Sequence, residues 1–142
     1  MQAGLRYGEL TGGALDITIR PGSRLWDFHG SPSLPDPAAL SAAVSLVDYR
    51  GLTVEGDTAR LSHPDAAVDL GGIAKGYIAD RLVSYLTENG VESALIDLGG
   101  NISAVGSNDG ADWRIGIRDP ADETALAAVI PVRNASVVTS GT

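Results

Sequence analysis

Residues 68–82 read VDLGGIAKGYIADRL, and across the glycine pair the apolar pattern turns from strand-like to the 3.6-residue period of a helix. The reading is a short strand VDL, a Gly71-Gly72 turn, and a helix from Ile73 that stops at Asn89-Gly90. Ala74, Ile78, Leu82, Tyr85 and Leu86 share its predicted apolar face, with Asp80, Arg81 and Glu88 off it. A strand, a glycine turn and a helix start together aim backbone N–H groups and the helix dipole at one point, which suits an anion. Lys75 lies there, the one lysine among ten basic residues. It is either a chance survivor in an arginine-rich composition or a compact point charge facing a phosphate.

Neither common phosphate motif fits. A P-loop needs its lysine between glycine and Ser/Thr, but Ala74 and Gly76 flank Lys75. The spacing of Gly71, Gly72 and Gly76 also misses the dinucleotide fingerprint G-x-G-x-x-G. Two arrangements of the acid-ended strand and the helix lysine remain. Asp69 and Lys75 pair with each other, or they flank a pocket in which Lys75 meets phosphate and Asp69 orients a ligand donor. A free turn carbonyl such as that of Gly72 suits a hard cation, since Mg²⁺ takes oxygen ligands and favours the company of substrate phosphates.

The rest of the chain predicts an α+β fold with a mixed, largely antiparallel sheet and two main helices packed on it. GGALDITIR, residues 12–20, alternates like a strand that ends at Pro21-Gly22. Asp36-Pro37 caps a helix over about 37–48, with Leu40, Val44 and Val47 on one face. Residues 51–62 read as a hairpin turned at Gly56-Asp57. ESALIDLGG, NISAVG and WRIGIRDP are strands, ETALAAVIPV fits helix or strand, and ASVVTSGT begins a last strand.

The 142 residues suit a single domain, burying about 68% of the unfolded surface by size scaling. No repeat or clean linker divides them. A net charge of -8 lacks the basic stripe of a nucleic-acid or anionic-membrane binder. Without cysteine, disulfides and thiolate metal sites are excluded. No stretch has the roughly 18 apolar residues of a membrane span, and MQAGLRYGEL has no signal-peptide core. The chain is expected to be soluble.

Five segments, TGGALDITIRPGSRLWDF, VDLGGIAKGYIADRL, LIDLGGNISAVG, WRIGIRDP and VVTSGT, stand in the order in which they occur in the ApbE family, the FAD:protein FMN transferases, and the chain resembles that family over nearly its whole length. The resemblance implies an α+β fold that binds FAD and Mg²⁺ and moves FMN onto a threonine or serine hydroxyl of a target flavoprotein, releasing AMP. It assigns Ala14, Leu15, Asp16, Asp69 and Lys75 to FAD, and the Gly72 carbonyl to the metal. It also places Gly99-Gly100-Asn101 and Thr139-Ser140-Gly141 near the site. Trp26 and Trp113 match aromatic positions and are expected to pack in the core. His29 and His63 match no catalytic position and are expected in turns or on the surface.

The family's upstream flavin contacts are not found in these residues, nor its downstream HxxDPxTG segment and the acidic residues completing its Mg²⁺ shell. The expectation is therefore the central portion of a transferase, catalytic residues unassigned, with little or no activity alone. The alternative is a non-catalytic FAD- or nucleotide-binding module. An unpaired edge on the last strand implies a homodimer or pairing with the family's downstream segment. The family implies a bacterial protein at the extracytoplasmic face of the cell membrane.

Overall fold

The computed structural model describes residues 1–27, 30, 33–122 and 124–140; the expectations for His29 and Gly141 lie outside them. The chain forms two compact units, Met1–Ile73 and Ala74–Thr142.

The first unit opens with a helix that the sequence reading did not foresee, α1 (Gln2–Leu10). Its buried residues are glycines: a Cβ on Gly4 would come within 2.5 Å of Ile17 Cδ1, and one on Gly8 within 2.9 Å of the Tyr49 ring. The helix backbone itself therefore lies against those two side chains. Gly12 and Gly13 then turn the chain with φ of +62° and +89°.

The strand expected over 12–20 does not form. The Asp16 carboxylate accepts the Thr18 N–H, a local side-chain bond of the kind that displaces a strand ladder, and the N–H of the distant Tyr49. What survives is one parallel bridge, Ile19 to Ala67, and the Asp69 N–H donating to the Ile17 carbonyl at 2.7 Å. The VDL strand does not form either: the bridge lies at Ala67, just before it, and Asp69 makes that one bond. Pro21 starts the short helix α2 (Arg20–Ser23). Trp26, expected in the core, is 39% exposed.

Helix α3 (Pro37–Val44) begins as expected, with Pro37 in its first turn and Asp36 Oδ1 accepting from the Ala39 N–H at 2.9 Å. It ends four residues early. Of the expected face Leu40 and Val47 are half-buried and Val44 is exposed, while Ala43 is the buried residue of the helix. Asp48 starts a separate 3-10 turn, Tyr49–Gly51, by accepting from the Arg50 N–H. Removing the Asp36 cap with Asp36→Ala is expected to cost about 1 kcal/mol, read as a lower urea midpoint at unchanged slope. The hairpin is as expected: β1 (Leu52–Glu55) pairs antiparallel with β2 (Thr58–Leu61) around Gly56 at φ +57°.

Helix α4 (Gly71–Glu88) starts at the glycine pair rather than after it. It ends before Gly90, at φ +81°. Its buried stripe differs from the expected face. Ala79 is 1% exposed, with Gly76 and Val83 half-buried at helical spacing; of the expected face Ala74 and Leu86 are half-buried, whereas Ile78 and Leu82 are exposed and Tyr85 is 63% exposed. Apolar residues occur on both sides of this helix, and the period alone does not choose between them.

In the second unit β3 (Ala94–Asp97), β4 (Asn101–Val105) and β7 (Ala135–Val138) form an antiparallel sheet in the order β3-β4-β7. β5 (Trp113–Arg118) pairs antiparallel with β6 (Leu126–Val132), which resolves the ambiguous segment as a strand. Pro131 fits there because β6 has one partner strand, and an edge spares the missing N–H. Ala104, Ile115 and Val132 are the core, with Ile102, Trp113 and Val137 packed on them. Fully burying an isoleucine side chain such as that of Ile115 contributes about 2 kcal/mol. The Trp113 indole N–H donates to the Val105 carbonyl at 3.2 Å, so the expected core role of Trp113 holds. Among the described residues the antiparallel pairs and few helices match the expected α+β class.

Candidate functional site

The first unit contains a cavity of about 900 Å³, toward the large end of the usual range for small-molecule sites. Residues 13–17 make one wall, the end of α3 and the following 3-10 turn make another, and Asp69, Gly72 and Ile73 close it. Five of the six expected site residues, Ala14, Leu15, Asp16, Asp69 and Gly72, line this one space.

Each acidic group in the wall is held by a local cause. Asp69 Oδ1 accepts from the Gly71 N–H at 2.9 Å, satisfying a free donor at the start of α4. Its Oδ2 accepts from the Ser23 hydroxyl at 3.3 Å, with the Arg20 guanidinium 3.8 Å away. That ion pair is partly exposed and orients more than it stabilises. Asp48 pairs with Arg50 at 3.6 Å, and the Arg50 guanidinium lies over the Tyr49 ring at 4.6 Å from its centre. A Cβ at Gly72 would meet nothing within 4 Å, so the space beside it is open to a ligand.

Three carboxylates, from Asp16, Asp48 and Asp69, and the Arg50 guanidinium line the cavity. Walls of that net charge repel a bare anion and favour one that arrives with cations. No group of three His, Cys, Asp or Glu side chains stands ready to hold a metal among the described residues. Gly72 is thus the expected metal contact without an acidic ligand set around it.

Lys75 belongs to the second unit. Its ammonium donates to the Gly99 carbonyl at 3.3 Å. That carbonyl sits in a glycine turn at φ +64° and +84°, fixed by the Gly100 N–H donating to Asp97 Oδ1 and by the Thr139 N–H donating to the Gly100 carbonyl. Lys75, the Gly99-Gly100 pair and Thr139, far apart in sequence, therefore meet. Asn101 follows as a buried residue at the head of β4. His63 is an exposed turn residue whose Nδ1 accepts from the Asp65 N–H, as expected.

Sequence reading missed Thr18, Asp48 and Tyr49. Thr18 bonds Asp16 from two residues away, but the Asp48 N–H reaches Thr18 and the Tyr49 N–H reaches Asp16 across some 30 residues, which no local pattern signals.

The geometry defines an α+β chain with a large cavity of mixed polar and apolar lining beside the start of α4. The sequence model of the ApbE family matches residues 1–142, and the chain belongs to that family. It is 37% identical to the FAD:protein FMN transferase of Treponema pallidum, over 99% of this chain and 44% of that protein. Identity to a Klebsiella pneumoniae protein of the same name is 42%, over 91% of this chain and 40% of that one. The solved structure of flavin transferase ApbE from Vibrio cholerae superposes with a TM-score of 0.83 at 35% identity, covering 99% of this chain and 47% of that one. The chain spans less than half the length of these relatives.

Proposed function

We propose that the protein transfers FMN from FAD to a threonine or serine hydroxyl of a target flavoprotein. The observation that carries this reading is the meeting of Ala14, Leu15, Asp16, Asp69 and Gly72 on one cavity large enough for part of a dinucleotide. In the reaction the acceptor oxygen forms a bond to the FMN-side phosphorus. The bond from that phosphorus to the AMP oxygen breaks, the hydroxyl proton is lost, and AMP leaves. The chain's part is positioning and neutralisation: the 13–17 wall and Asp69 orient FAD, and Lys75 supplies a fixed positive charge for the pyrophosphate. The Gly72 carbonyl would serve as one ligand of a magnesium ion, whose chemistry there would be to draw charge from the pyrophosphate. Because the described residues offer no acidic cluster for it and Mg²⁺ gives up water reluctantly, residues 1–142 alone are expected to turn FAD over little or not at all. The β7 edge, paired on one side only, suits a second copy or the family's downstream segment.

The test uses the full-length natural protein with FAD, Mg²⁺ and an acceptor protein, following AMP by chromatography and the flavinylated acceptor by mass. AMP and modified acceptor are expected in equal amounts, and excess EDTA is expected to stop both. FAD left intact, with or without bound flavin, overturns the transferase reading. Bound but unconverted FAD supports instead a nucleotide-binding module.

A further inference from the structure

Both oxygens of the Asp16 carboxylate are already engaged. Oδ1 accepts from the Thr18 N–H at 2.8 Å and from the Thr18 hydroxyl at 2.7 Å, and Oδ2 accepts from the Tyr49 N–H at 2.8 Å. The Thr18 hydroxyl, its one proton given to Asp16, accepts from the Asp48 N–H at 2.9 Å. Thr18 is 0% exposed and does not line the cavity. One hydroxyl and one carboxylate thus join the wall at 13–17 to the 3-10 turn that forms the wall opposite in sequence. Nothing else described bonds these two segments through side chains so directly. A part-buried network of this kind, anchored on the fully buried Thr18, holds its members in one arrangement.

We propose that Thr18 is a positioning residue for FAD. By fixing the Asp16 carboxylate on the backbone of Asp48 and Tyr49, it sets the separation of the cavity walls. The Ala14–Asp16 stretch then meets the ligand through its main chain and the Ala14 and Leu15 side chains, with the Asp16 carboxylate serving the wall. This rests on the proposed function above, because it takes the ligand of the cavity to be FAD.

The test compares Thr18→Val, which keeps the shape and loses the hydroxyl, with Thr18→Ser, which keeps the hydroxyl. In the full-length natural protein, the FAD dissociation constant is read from flavin fluorescence, KM and kcat from AMP release, and folding from thermal melting. Thr18→Val leaves the Asp48 N–H without its acceptor and Asp16 with one donor fewer. It is expected to raise Kd and KM about tenfold, with kcat within about threefold of wild type. Thr18→Ser is expected within about twofold of wild type on both constants, since its hydroxyl restores both bonds. Wild-type Kd in Thr18→Val, or equal weakening in both variants, overturns the proposal. If Thr18→Val does not melt cooperatively, Asp16→Asn takes its place. Its carboxamide has one acceptor oxygen for donors on two sides, so the same rise in KM is expected, and an unchanged KM overturns the proposal. Wild-type protein that binds no FAD overturns the proposed function itself, a result distinct from either.

Discussion

Lys75→Met is expected to lower kcat/KM for AMP release about a hundredfold, the usual cost of removing one preorganised charge partner from a transition state. The side chain keeps its length and apolar stem, so the loss is chiefly of charge. The cation rests on the Gly99 carbonyl, a neutral group. Lys75→Arg separates charge from shape. A guanidinium keeps the positive charge but spreads it over a planar fork that matches this turn poorly, so only partial recovery is expected, about tenfold below wild type. If Lys75 served the glycine turn alone, Lys75→Met would lower the melting temperature and leave kcat/KM near wild type. That pair of measurements decides between the two roles.

The second large effect is on stability. Gly106→Ala is expected to destabilise the protein by about 3 kcal/mol or more. Gly106 adopts φ +59°, where an added Cβ is strained, and that Cβ would collide with the backbone carbonyl of Glu92. A carbonyl fixed in the chain just before β3 has no rotamer by which to yield. The Gly106 N–H is also tied to the Asn134 side-chain oxygen at 2.7 Å. Gly110 is the control: its φ is +87° but a Cβ there would meet nothing within 4 Å. Gly110→Ala therefore carries the conformational cost alone, about 1 kcal/mol. Equal urea midpoints for the two variants would refute the packing argument and leave conformation as the sole cause.

The features legible in the sequence are those written in local chemistry. The Asp36 cap, the Gly56 turn and the Asn89-Gly90 stop each act within a few residues, and the structure keeps all three. The strand at 12–20 misled because its alternation is real, while the bonds that decide its conformation come from Asp16 and from Tyr49, 33 positions away. Helix α1 was invisible because its inward face is Gly4 and Gly8, which give no apolar period to read. At the site, five of the six residues that the resemblance named, all but Lys75, lie on the wall of one cavity. The clamp behind them, Thr18 with Asp48 and Tyr49, is a product of tertiary folding. Composition and spacing carry no record of it.

The glycine face of α1 gives the cavity a rear control. Ile17 and Tyr49, which Gly4 and Gly8 press upon, both belong to the cavity walls. A methyl group added at either glycine pushes on the chamber from outside, so ligand affinity becomes open to adjustment by selection at positions that no ligand ever touches.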